Sequence, residues 1–91
     1  MSWSIAPNPI RGGGAARIEV ALSLGEPVSL VLYDVAGREV ETLFSDRHGP
    51  GAHLLLWNGT GRDGRRLPDG VYFGRLTAGV HQETRRIVVC E

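Results

Sequence analysis

Three histidines, one cysteine and ten carboxylates are the side chains of this 91-residue chain able to bind a metal, attack as a nucleophile or move a proton. His48 and His53 flank Gly49-Pro50-Gly51, and His81 stands in a separate stretch near the end. A catalytic zinc takes three protein ligands held by supporting hydrogen bonds. No carboxylate is spaced to complete such a set, so the histidines read as solvated and no metal is expected. Cys90 is alone, which excludes an internal disulfide, and at the end of an apolar run it reads as a small hydrophobe. Glu39 and Glu41 lie two apart, a spacing that puts both on one strand face, where two carboxylates can act as acid and base. On a half-buried strand that face is the solvated one.

The remaining candidates give the same answer. Gly12-Gly13-Gly14 lacks the Gly-Lys-Ser/Thr that completes a phosphate loop, and a strand pattern follows it, so it reads as a flexible link. Asn58-Gly59-Thr60 fits a glycosylation acceptor and equally opens a turn, the reading preferred here. Asn58 and Asp63 do not have the spacing of a calcium loop, and no Gly-x-Ser-x-Gly elbow occurs. The expectation is no enzyme, no cofactor and no small-molecule substrate.

The elements that carry these residues alternate with period two. Ile18, Val20 and Leu22 alternate with Arg17, Glu19 and Ala21. Val28, Leu30 and Leu32 form a denser strand, expected to be central, after a turn at Gly25-Glu26-Pro27. Asp34 to Gly37 is a turn, with Gly37 where positive φ is best tolerated. Arg38 to Phe44 returns as a strand, its Val40 and Leu43 spacing predicting a bulge or a bend; Ser45 to Gly51 reads as a loop. Ala52 to Trp57 is apolar on both sides and is expected inside a sheet or at a sheet junction. Val71 to Thr77, an Ala78-Gly79 turn and Val80 to Cys90 complete the set. Ser2 to Ile5 is a short edge strand stopped by Pro7 and Pro9, with Trp3 either on the core or continuing a linker from a preceding domain. No helical period appears, so the chain is all-β, about seven strands in one domain over residues 1–91, of which 1–15 are a lead-in segment and Gly-rich link. The six aromatics, Trp3, Trp57, Tyr33, Tyr72, Phe44 and Phe73, read mostly inward, against a carbohydrate-binding plane.

Ten arginines, no lysine and ten acidic residues make the chain formally neutral, without the basic footprint expected for nucleic acid. No apolar run approaches the roughly 20 residues of a membrane span. Met1 to Ala6 lacks the basic start and apolar centre of a signal peptide.

Trp57 to Leu76 organises the rest. An aromatic ends one strand, a 13-residue loop with turns at Asp63-Gly64 and Asp69-Gly70 follows, and Leu67, its only apolar side chain, is expected to tuck over the core. Trp57 and Tyr72 are expected in or beside that core. The pattern Trp-Asn-Gly-x4-Gly-x2-Leu-x2-Gly-Val-Tyr, with Tyr-Asp-x2-Gly-Arg-Glu-Val upstream and Asn-Pro near the start, resembles the Ig-like module that ends many secreted bacterial proteins. That family includes type IX secretion sorting domains and the Ig-like domain of flagellar hook-capping proteins. The resemblance spans residues 7 to 90. It implies an Ig-like or fibronectin-III-like antiparallel sandwich. It also implies a non-catalytic C-terminal module, secreted or on the cell surface by way of the periplasm, serving as a folded sorting or anchoring signal for type IX export. The alternative it implies is a structural spacer or assembly module of the hook-capping type. The implied partners are export or cell-surface protein machinery and a preceding domain. The implied recognition and motif residues are Pro7, Pro9, Asp34, Gly37, Trp57, Gly64, Gly70, Tyr72, Arg85 and Arg86. The chain departs from the family pattern at Asn58, where Asp is usual, and in ending Cys90-Glu91.

Overall fold

A computed structural model describes residues 2–11, 14–22, 26–48 and 51–90, with the side chains of all but Glu26, Phe44, Asp46, Arg47 and His48 among them. The expected Gly12-Gly13 link, the Gly25 turn, Gly49-Pro50 and the Glu91 terminus lie outside the described residues. The described residues form eight strands: β1 (Ser2–Ala6), β2 (Ile10–Arg11), β3 (Ala16–Leu22), β4 (Glu26–Tyr33), β5 (Glu39–His48), β6 (Gly51–Trp57), β7 (Gly70–Ala78) and β8 (His81–Cys90). They make a three-stranded sheet, β1-β3-β6, packed on a five-stranded sheet, β2-β8-β7-β4-β5. This is the Ig-like sandwich expected from the sequence.

Alternation fixes which faces meet. β3 buries Ala16, Ile18, Val20 and Leu22 and exposes every residue between, while β4 sends Val28, Leu30 and Leu32 to the same core from its central place between β7 and β5. Trp3 belongs to the core at 2% exposure, with its Nε1 donating to the Glu83 carbonyl at 3.0 Å. It packs against Gly74 of β7, where a Cβ would stand 2.7 Å from the indole Cη2.

The register explains the Val40 and Leu43 spacing. β4 residues Leu30 and Val31 face Phe44 and Thr42, skipping Leu43, and Leu32 and Tyr33 face Glu41 and Glu39, skipping Val40. Each skipped residue is a bulge, and both pack against the core. One consequence corrects an expectation: the bulge at Val40 sets Glu39 against Tyr33 and Glu41 against Leu32, so the two carboxylates do not share a face.

Other strands depart from the sequence reading for identifiable reasons. Ser45 to His48, expected as a loop, pairs with Ser29 back to Glu26, because β4 runs on with unsatisfied backbone and an edge strand tolerates polar residues. Pro27 sits inside β4 rather than in a turn, beyond the end of the β4–β7 register, which begins at Val28. β6, expected inside a sheet or at a sheet junction, is an edge: among the described residues its partner is β3 alone, and Leu54 and Leu56 point to solvent. β2, too short to carry a period that predicts it, pairs parallel with β8, Ile10 opposite Val89, whereas the other strand pairs among the described residues are antiparallel. Tyr33, on the face of β4 opposite Leu30 and Leu32 as the alternation of that strand requires, stands opposite Phe73 of β7, and both are half-buried, with the Arg75 guanidinium 5.2 Å from the Tyr33 ring centre.

Candidate functional site

Asp34 and Gly37 build the β4–β5 turn. Asp34 Oδ1 accepts from the backbone N–H groups of Ala36 at 2.9 Å and Arg38 at 3.0 Å, and Oδ2 from Arg38 Nε at 3.0 Å. The Arg38 N–H is the chief cause holding this carboxyl below its ordinary 3.8; desolvation opposes it, and the Ala36 N–H and Arg38 guanidinium reinforce it. Gly37, at φ 84°, has nothing within 4 Å of a Cβ position, so backbone conformation selects glycine here.

The long loop is a folded object. Trp57, 6% exposed, donates from Nε1 to the Thr60 carbonyl at 3.0 Å. Thr60 then bridges Arg66, the Gly61 N–H reaches the Arg65 carbonyl at 2.8 Å, and Gly64 closes the tip at φ 79°. Asp63 Oδ1 accepts from the Arg65 N–H at 2.9 Å, as an Asp-Gly turn requires. Asn58 Oδ1 accepts from the Thr60 hydroxyl at 2.7 Å, so Asn58-Gly59-Thr60 forms a turn. Leu67 is buried, and its N–H reaches the Gly59 carbonyl at 2.9 Å. The Arg62 N–H binds the carbonyl left free by the bulge at Val40, at 3.0 Å, and the Arg62 guanidinium lies 3.3 Å from Glu39.

Tyr72 closes the loop from the far side. Its hydroxyl donates to the Pro68 carbonyl at 2.6 Å, the back-bond of the tyrosine corner found in Ig sandwiches. Burial raises its pKa above the ordinary 10.0, with the charges of Asp34 and Asp69 adding. Gly70, between them, has φ 158° and nothing within 4 Å of a Cβ position.

Pro7 and Pro9 flank a residue that sequence reasoning missed. Between them, Asn8 donates from Nδ2 to the Arg86 carbonyl at 2.9 Å and accepts at Oδ1 from the Val88 N–H at 2.9 Å, taking the place of a strand residue beside β8. This is how the chain leaves the small sheet after Ala6 and joins the large one at Ile10. Asn-Pro between two strand patterns is the signal that could have located it. Arg86 is exposed. Arg85 reaches across the sandwich, its Nε donating to the Trp3 carbonyl at 3.3 Å and Nη2 meeting Glu83 at 2.9 Å. Gly74 was also missed, although an isolated glycine inside a strand pattern marks a close approach.

The motif residues therefore fall in two regions. Asp34, Gly37, Trp57, Gly64, Gly70 and Tyr72 belong to the β4–β5 turn, the long loop and its two flanking strands; Pro7 and Pro9 flank the crossing from β1 to β2, and Arg85 and Arg86 lie on β8. Among the described residues no three His, Cys, Asp or Glu side chains gather to hold a metal.

A family model for the FlgD Ig-like domain matches residues 7–81. The chain belongs to the FlgD Ig-like domain family. Its solved relatives include PorZ of Porphyromonas gingivalis, an essential bacterial surface component of the type-IX secretion system (26% identity over 98% of this chain, TM-score 0.63). They also include FlgD from P. aeruginosa (16% identity over 94%, TM-score 0.66) and dimeric latent PorU from Porphyromonas gingivalis (18% identity over 96%, TM-score 0.69). The last two likenesses show the fold. The chain spans 11% of PorZ, 68% of the FlgD chain and 9% of PorU. No curated protein matches it.

Proposed function

We propose that this domain is a non-catalytic, folded sorting or anchoring module of a secreted bacterial protein, recognised as a structure by type IX export machinery and working at or beyond the cell surface by way of the periplasm. The observation that carries this reading is the likeness to PorZ along nearly the whole chain. The partner would read a shape, and Arg86, exposed on β8 beside the Pro7-Asn8-Pro9 crossing, is the residue best placed to be read. Residues 1–91 fused to a periplasmically directed reporter, in a host with type IX export, should reach the surface or medium. Arg86→Ser should reduce that export while leaving the melting temperature unchanged, since exposed charges contribute little to stability. Retention of the folded parent fusion sinks the reading.

A second reading, a structural spacer or assembly module of the hook-capping type that packs against other domains, draws on the family match to the FlgD Ig-like domain. It predicts a folded chain that stays in the periplasm in the same assay.

A further inference from the structure

An open sheet edge is a template for another strand, and folded proteins blunt such edges with charges, prolines, bulges or short length. Among the described residues four strands are edges. β5 carries Glu39 and Glu41 and two bulges. β2 is two residues long. β1 runs into Pro7, and Arg85 from the other sheet occupies its Trp3 carbonyl. β6 has none of these devices. Its residues, Gly51–Trp57, include no charged side chain and no proline, and their register against β3 runs from Trp57 to Gly51 without a shift. On its outer face Leu54 and Leu56 are 58% and 65% exposed. Beside them on β3 stand Glu19 and Arg17, 3.7 Å apart, so the surface bordering this edge carries no net charge.

We propose that β6 pairs antiparallel with β6 of a second copy of this chain across a two-fold axis, joining two three-stranded sheets into one of six. Two-fold association sets a surface against itself. At β5 the two bulges interrupt the ladder that a second copy of the strand would have to follow. β6 is the long edge where self-pairing opposes no charges at all. Registers that keep outer face on outer face centre on Leu54 or Leu55, and either one places Leu54 opposite a leucine of the other copy. A slip of one residue would send the leucines to opposite faces.

Sedimentation of residues 1–91 from micromolar to millimolar concentration reads this directly. The mass should climb from 9.9 kDa towards twice that value. L54K/L56K should raise the dimer Kd about 30-fold or more, the loss typical of interface anchors, with an unchanged melt because both side chains are exposed in the single copy. V35K/V80K removes apolar side chains that are 75% and 94% exposed elsewhere and should leave the dimer intact. A21K, on the outer face of β3 one strand in from the edge, should also leave it intact. A chain monomeric throughout overturns the proposal and is the result expected if a strand of a different protein occupies β6. A dimer indifferent to L54K/L56K overturns it too, as does one equally sensitive to A21K, which would mean sheets stacked face to face. The export reading stands apart: a monomer that is exported defeats only the pairing, and a dimer that is retained defeats only the sorting role.

Discussion

Asp34 shows how one side chain writes a local shape. Its carboxylate accepts three hydrogen bonds within the turn it begins, and the ionised form is the one those donors favour. The folded pKa lies below the ordinary 3.8, so the stabilisation is fully present above about 3.8 and is lost as pH falls through the folded value. Asp34→Asn keeps an acceptor without the charge and should flatten the acid limb of a melting-temperature profile below pH 4 relative to the parent; profiles that stay parallel would count against this account. Asp34 and Gly37 were legible because turn chemistry is local. Gly74 and Asn8 were not, because each is selected by a partner far along the chain: Trp3 for Gly74, and Arg86 with Val88 for Asn8.

Elements were legible where one face is buried and the other wet. β3 and β4 carry that contrast in their side chains, and the bulges of β5 show as a break in it. β2 is two residues and has no period to detect. β6 misled because leucine at Leu54 and Leu56 looks the same whether it faces a core or an uncovered surface; only the strand order distinguishes them. The loop after β6 reads well because its glycines and aspartates each close a turn, yet a single apolar side chain joins it to the core. Leu67→Ala should therefore cost about 2–3 kcal/mol in denaturant unfolding, the lower range for a buried leucine. Leu56→Ala, on the exposed face of β6, should stay within about 0.5 kcal/mol. Equal losses at the two sites would mean that Leu67 is not what pins the loop.

Across the whole molecule the two sheets depend on the last strand. β8 pairs with β7 along its length and with β2 on its other side, Arg85 binds the Trp3 carbonyl of the small sheet, and Asn8 anchors the crossing between sheets to the backbone of Arg86 and Val88. Its Ile87 and Val89 are 0% and 1% exposed. Ending the chain after Thr84 removes both core side chains, the strand that holds Ile10, and the bonds made by Asn8. Each large buried aliphatic is worth about 2–5 kcal/mol when truncated, so losing two takes about 4–10 kcal/mol from the roughly 5–15 kcal/mol by which a domain is stable, and the pairing of β8 with β7 and β2 is lost as well. The shortened chain should lose its cooperative thermal transition and its near-ultraviolet dichroism. Arg86→Ser, which leaves the backbone of β8 and both core residues in place, should retain them. A cooperative melt in the shortened chain would show that the sandwich closes without β8 and that the crossing at Asn8 is not what unites the sheets.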